Sequence, residues 1–477
     1  MRGFKLAILP LAVACAIANT ALAESTDEDR IRRLEAIVEK QQEMIESLSD
    51  ELKQLKAQQG RPVVVERLDA PAAEVAKAEP AVEEEPAQDV LAPLSLRVYG
   101  FAMADAIYDF KRVDPNWEDT TRVSTIPTRS GAFGDDGNFT FGVRQSRLGF
   151  SGGYGDDIEY LLEWELFGVG GDEGQTTPRL RHAWATYKNL GAGQYWSNFM
   201  DIDIFPNTID YWGPTGMVFY RNQQIRYSFP MGEDEFSISI EDPDTALTVG
   251  KFRDLDPCDV PQAPADCESI ESTIGELFQA HNDVPDFTMR YRNNGDFGHY
   301  QVAGMLRKLG FERLDTGDTD HEFGWGINTS AGLRFFERDM LKLQLAYGEG
   351  IGNYMNDGGI DIAPDSADLT RADAEAVELV GISAYYDHYW NQRWSTSIGW
   401  SMTDLDVTDG KADSEFKRGQ IAQINLLHYP ADNVLMGTEF IWGEREDVNG
   451  NTGSDYRIQF SLKVNFDSGN LNRFAGQ

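Results

Sequence analysis

From Ser95 onward the sequence alternates with period two, and this alternation constrains the fold more than any other feature. In the last run Tyr456, Ile458, Phe460, Leu462, Val464 and Phe466 alternate with Arg457, Gln459, Ser461, Lys463 and Asn465. The texture returns at Trp394, Thr396, Ile398, Trp400 and Met402, and again at Trp325, Ile327, Thr329, Ala331, Leu333 and Phe335. Successive side chains on a strand point to opposite faces, so each run makes a sheet with one greasy and one polar face.

The breaks between runs are of two kinds in strict alternation. Short turns occur at 155–157, 189–191, 232–234, 293–295, 337–339, 391–393 and 431–433. Longer loops occur near 111–137, 168–178, 200–220, 242–284, 313–322, 350–373, 404–415 and 446–455. Seven short turns and eight long loops join 16 strands. An even number of antiparallel strands with one short-turn rim and one long-loop rim predicts an all-β transmembrane barrel over 95–466. In such a barrel the greasy face meets lipid and the polar face lines the lumen; in a soluble sandwich the greasy face would pack inward. Tyr385, Tyr386, Tyr389, Trp390, Trp394 and Tyr429 crowd the short-turn side, which favours lipid, because an interfacial girdle is aromatic.

The N-terminus reads as an export route. Arg2 and Lys5, an apolar stretch from Leu6 to Ala18 and Ala21-Leu22-Ala23 before Glu24 predict a signal peptide over 1–23. Over 24–60, Ile31, Leu34, Val38, Gln41, Ile45, Leu48, Leu52 and Leu55 recur at gaps of three and four, a coiled-coil seam interrupted only by Gln41. β-branched residues at a with Leu at d favour two strands, whereas Ile37 and Met44 widen the stripe as a third helix would require, so the residues leave the strand number open. Pro62, Pro71, Pro80, Pro86 and Pro93 mark 61–94 as an extended linker. Residues 467–477 form a tail. Cys258 and Cys267, nine apart in a Pro- and Asp-rich stretch of an exported chain, are expected to form a loop disulfide, and Cys15 leaves with the signal peptide.

Charge and motifs narrow the function. The formal charge of −37 argues against a nucleic-acid partner, because nothing offsets phosphate repulsion. The six histidines show no metal-ligand spacing, and there is no GxSxG, Walker or flanked GxGxxG element, so no cofactor, metal or enzymatic activity is expected.

The informative polar residues are arginines on lumen-facing phases. Phe139, Phe141 and Val143 face lipid on odd numbers, Leu148 and Phe150 on even ones, so a bulge at Gln145-Ser146 would turn both Arg144 and Arg147 inward. Arg179 and Arg181 share a face opposite Leu180 and Trp184; Arg290 and Arg292 share one opposite Phe287, Met289 and Tyr291; Arg226 and Arg307 also take polar phases. Forked donors along a narrow pore suit carboxylate or phosphate and would favour anionic solutes. The competing reading pairs them with Glu159, Glu163 and Glu165 as interior filling. The loop 200–220 is apolar and aromatic. It is expected to fold inward as a stiff constriction, with Trp212 in it and Asp201, Asp203 and Asp210 facing the arginines. A β-rich surface or periplasmic binding or structural protein without channel activity is the alternative function.

RVYGFAMADAIYDF (97–110), VRQSRLGF (143–150), GQTTPRLRHAWATY (174–187), the stretch 193–227 and the heptad arm resemble the DcaP-like outer-membrane porins of Gram-negative bacteria. The resemblance implies homotrimers of 16-stranded barrels set in outer-membrane lipid and lipopolysaccharide, an N-terminal periplasmic coiled coil, and passive uptake of small anions such as dicarboxylates. Gly100, Ala102, Ala104 and Ala106 on the first strand suit a subunit contact. Two features depart from the pattern: eleven residues follow Phe466, and the 242–284 loop is long.

Overall fold

The computed structural model describes residues 94–468, apart from 130, 133–135, 253–277, 314–316 and 369–372. The signal peptide, the coiled-coil arm, the linker up to Pro93, Cys258 and Cys267, and all but the first two residues of the tail lie outside the described residues.

Sixteen antiparallel strands close into a barrel. They are β1 (Leu94–Asp109), β2 (Asn138–Gly142 continued by Arg147–Tyr154), β3 (Ile158–Phe167), β4 (Thr176–Tyr187), β5 (Leu190–Trp196), β6 (Arg221–Met231), β7 (Asp234–Glu241) and β8 (Phe278–Ala280 continued by Asp286–Gly295). The second half comprises β9 (Gly298–Arg313), β10 (Asp318–Phe335), β11 (Asp339–Glu349), β12 (Glu378–Tyr389), β13 (Trp394–Leu405), β14 (Phe416–Ala431), β15 (Val434–Asp447) and β16 (Thr452–Asp467). Closure is direct: β1 pairs with β16 from Tyr99↔Asp467 to Asp109↔Arg457, leaving no edge whose backbone would be unpaired in lipid. No helix among the described residues is long and apolar enough to cross a membrane.

The alternation sorts the two faces as expected. On β16, Tyr456, Ile458, Phe460, Leu462, Val464 and Phe466 are exposed on the outside, while Arg457, Gln459 and Ser461 are buried inside. The aromatic cluster divides. Trp390 and Trp394 face outward, but Tyr385 is buried within, bonded to Gln423, and Tyr429 reaches Asn207 inside the barrel. They are interior anchors because their strand phase, which proximity to the rim does not reveal, is that of the lumen. Two expected long loops are short: 448–451 is a tight turn, and four residues join β9 to β10.

Three loops fold into the lumen and fill one side of it. Val218 bridges to Met355, and Leu247 bridges to Ile362, tying the loops 197–220, 242–252 and 350–364 together. Phe199, Met200, Ile204, Met217, Val218, Tyr354 and Met355 bury against Ala303 of β9, Ala346 of β11, Leu379 of β12 and Leu405 of β13. This is an apolar core inside the barrel, made possible where the wall offers Ala and Gly in place of long polar side chains. Gly216 illustrates the fit: an added Cβ would lie 1.9 Å from the Met402 carbonyl oxygen.

Candidate functional site

Two register irregularities shape the opposite side of the lumen. On β2, Phe101↔Arg147 and Asp105↔Gly142 set four steps of β1 against five of β2, so one extra residue lies between them. That bulge turns Arg144 and Arg147 to the same side although they are three apart. On β4 the pairing moves from Glu163↔His182 to Trp164↔Leu180, so Arg181 is the extra residue. Arg179, Arg181 and His182 then all point inward. Beyond the bulge the phase is reversed, which brings Trp184 inside, stacked on Tyr195 at 5.4 Å, rather than against lipid with Leu180. The apolar alternation on β4 is too sparse to reveal this slip.

Glu165 of β3 is the centre of the arrangement. It accepts from Arg179, from Tyr211 of the inward loop, and from Arg181 Nη1 at 2.6 Å. Arg221 Nη2 stands 3.9 Å and Arg147 Nη2 4.0 Å from it. Glu163 binds Arg181 Nε at 2.7 Å and lies 3.5 Å from Arg147 Nη1. Four guanidinium groups therefore share two carboxylates, and Lys463 on β16 joins them without a carboxylate partner among the described residues, its Nζ 4.1 Å from the Phe101 ring centroid. Arg147 Nε, Arg221 Nη1 and His182 Nδ1 are buried with no hydrogen-bond partner. A cavity of about 510 Å³ opens here, lined by Arg147, Arg181, His182 and Lys463 on the wall and by Phe205, Tyr211 and Phe219 of the loop. Excess positive charge with unused donors is an anion-receptive environment.

The remaining arginines of the sequence pattern divide by environment. Arg226 lines the lumen near the short-turn rim, hydrogen-bonded among the described residues to Gln224 and the Trp196 carbonyl. Arg290 pairs with Glu235, and Arg292 with Asp201 at 3.1 Å and Asp203 at 2.5 Å. Arg144 and Arg307 do not border open lumen. Arg144 is buried against Asp119 at 2.7 Å beneath the 111–137 loop. Arg307, wholly buried, binds Asp286 and Asp361 at 2.9 Å each and seals the loop-filled side. Both take a polar phase, as expected, but inward-folded loops cover them.

The loop acids act as anchors instead of facing the central arginines. Asp201 accepts from Ser330 Oγ at 2.6 Å and lies 2.8 Å from His299 Nε2. Burial acts to raise its pKa, but those hydrogen bonds and the Arg292 charge outweigh it and hold the carboxyl below its ordinary value. Asp210 caps its own loop, accepting from the Thr121 and Trp212 amides at 2.8 and 2.9 Å, with Arg457 Nη1 at 3.6 Å. Trp212 packs edge-on to Trp117 at 4.9 Å and donates to the Asn356 carbonyl, joining loops rather than edging a pore. Asp201, Asp203 and His299 bring ligand atoms within 4.8 Å of one another, but Arg292 already bonds both carboxylates and supplies the positive charge a cation would bring.

Sequence reasoning missed Arg221, His182, Lys463 and Arg457. Arg221 is out of phase with lumen-facing Asn222 and Gln224, and His182 is hidden by the bulge. Lys463 stood in plain view on the polar face of the cleanest strand.

The family described as DcaP outer membrane protein matches over residues 19–244. Among solved structures, the outer membrane channel DcaP of Acinetobacter baumannii superposes with a TM-score of 0.63 at 20% identity, over 79% of this chain and 98% of that one. An anion-selective porin from Comamonas acidovorans gives 0.49 at 10% identity, over 78% and 100%. OmpT of Vibrio cholerae gives 0.45 at 9%, over 78% and 97%. No curated protein matches the chain. The family match over residues 19–244, the fold shared with the DcaP channel and the lipid-facing belt lead to one conclusion: the chain is a β-barrel porin of the outer membrane, similar to the DcaP outer membrane proteins.

Proposed function

We propose that this porin passes small hydrophilic solutes passively and prefers anions, carboxylates in particular. The observation that carries the reading is the imbalance on the wall that runs from β16 round to β6: Arg147, Arg179, Arg181, Arg221 and Lys463 against Glu163 and Glu165, with unused buried donors beside a cavity. Rings of fixed positive charge concentrate anions and repel cations in a narrow lumen. The acidic long loops do not reverse this, since exposed charge is screened within about 8 Å at physiological salt.

The protein works as a homotrimer. Ala102, Ala104 and Ala106 face outward on β1, giving a smooth strip where a second barrel can approach closely, and a coiled coil over 24–60 in the periplasm would hold three copies together. Lipid and lipopolysaccharide surround the rest of the belt. Reversal potentials of the purified protein in planar bilayers under a potassium chloride gradient test the reading. Chloride preference in three equal conductance steps is expected; cation preference would overturn the role of the arginine wall.

A further inference from the structure

Below the central cluster, towards the short-turn rim, the lumen holds a second pocket of about 300 Å³, lined by Trp184, Lys188, Arg226, Glu235 and Arg290 among others. Its geometry follows from register. Arg226 on β6 lies opposite Ser239 of β7, and Arg290 on β8 lies opposite Ser237 of β7. Two short serines thus separate two long guanidinium arms that enter one space. Trp184, turned inward by the β4 bulge, stacks on Tyr195 and forms an aromatic wall, its ring 5.7 Å from the Arg226 guanidinium carbon.

Arg226 makes this a site rather than a gap. It is 8% exposed, yet among the described residues no carboxylate lies within ion-pair distance; its partners are the neutral Gln224 side chain and the Trp196 carbonyl. A buried guanidinium without a counter-charge is costly unless something supplies one. Arg290 does have Glu235, but its Nε is buried and unbonded. Glu159, the other acid lining the pocket, is exposed at the solvent edge, and Lys188 lies 3.7 Å from Asp157 outside it.

Building on the anion-passing reading, we propose that Arg226 and Arg290 form a second binding site for small carboxylates, in series with the central Arg147–Arg181 cluster and reached first from the short-turn side. A carboxylate there takes Nη1 of Arg226, the side of the guanidinium that Gln224 and the Trp196 carbonyl leave open, and the free Nε–H of Arg290, with any apolar remainder against Trp184. Two sites in series let an arriving anion displace the one ahead of it, so tight binding need not stop flow.

The test is block of single-channel chloride current by succinate, added to one side of the bilayer at a time, with insertion direction fixed by a long-loop-specific protease cut. Wild type is expected to be blocked from both sides. The double variant Arg226→Gln/Arg290→Gln should weaken block from the short-turn side about tenfold, the loss expected for one charge-assisted hydrogen-bonded pair, and leave block from the long-loop side unchanged. Arg226→Lys, which keeps the charge without the fork, should lie between them and covers the case in which the double variant does not fold. Unchanged block from both sides, or equal loss from both, overturns the second site while the anion reading stands. Wild-type protein with neither block nor chloride preference overturns the anion reading itself.

Discussion

The two sides of this lumen are built from opposite materials. From β16 round to β6 the wall is charged and short of acids, with Arg147, Arg181 and Lys463 bordering a cavity. Along β9–β13 the wall carries Ala303, Ala346 and Gly381, and inward loops pack it as tightly as a protein interior, with Phe199, Met217 and Val218 wholly buried. The same strand period produces both, so lumen-facing phase does not determine whether a residue meets solute. What decides is whether a loop has covered it. Arg307 and Arg181 share a residue type and a phase, and each is held between two carboxylates; a loop covers Arg307, whereas Arg181 lines a cavity.

The largest effect should come from the packed side. Phe199→Ala removes a buried aromatic from the loop core and should cost about 3–5 kcal/mol of stability. Heat-modifiable gel migration should show a lowered transition, with reversal potential unchanged; a change in selectivity would mean that the two sides are not independent. Next, Glu165→Gln takes one shared carboxylate from four arginines. Losing the buried partner should destabilise the barrel by about 3 kcal/mol, while anion preference rises. A fall in preference would show that Glu165 is needed to hold the guanidinium groups at the cavity. Third, Arg147→Gln with Arg181→Gln should reduce anion preference on the order of tenfold, about 1.4 kcal/mol, with a lowered heat transition as well, because Glu163 and Glu165 lose buried partners. Unchanged reversal potentials would refute the charge-imbalance argument.

Smaller effects probe the seam between the sides. Asn207 donates to Ser395 and to Tyr429 at 3.2 and 3.0 Å, so Asn207→Ala should loosen the loop by about 1 kcal/mol and appear as added open-channel current noise. Acid should act last. Because the Asp201 pKa is depressed in the folded state, the stability it contributes is fully present above the unfolded carboxylate value of about 3.9 and is lost only as pH falls through the lower folded value. Protonation of Asp201 should therefore add current noise only below about pH 4, and Asp201→Asn should abolish that low-pH step; the same step persisting in the variant would contradict the assignment.

Much of the barrel was legible because alternation is local. Runs such as Tyr456 to Phe466 announce their faces, and the β2 bulge could be placed from the change of apolar phase between Val143 and Leu148. The β4 bulge could not, since Arg179 to Trp184 contains too few apolar residues to register a slip. The inward fold of 200–220 was readable from its aromatic content, but its contacts were not. Asp201 and Asp210 looked like pore acids, and only the positions of His299, Ser330 and Thr121, distant in the sequence, make them anchors. Covering of Arg144 and Arg307 is likewise a loop property that strand pattern cannot carry.

The backbone of Ile209 has a consequence for how the molecule comes to be. Its carbonyl accepts from Gln145 on β2 and from Gln459 on β16, and its amide donates to Glu439 on β15. The backbone of one residue thus stitches the beginning of the barrel to its end, across sequence separations that make such contacts late and slow to form. The narrow passage is consequently a product of completion: a chain that stalls before its last strand has neither a sealed wall nor a seated loop. Biogenesis therefore has a built-in order, in which selectivity cannot precede closure.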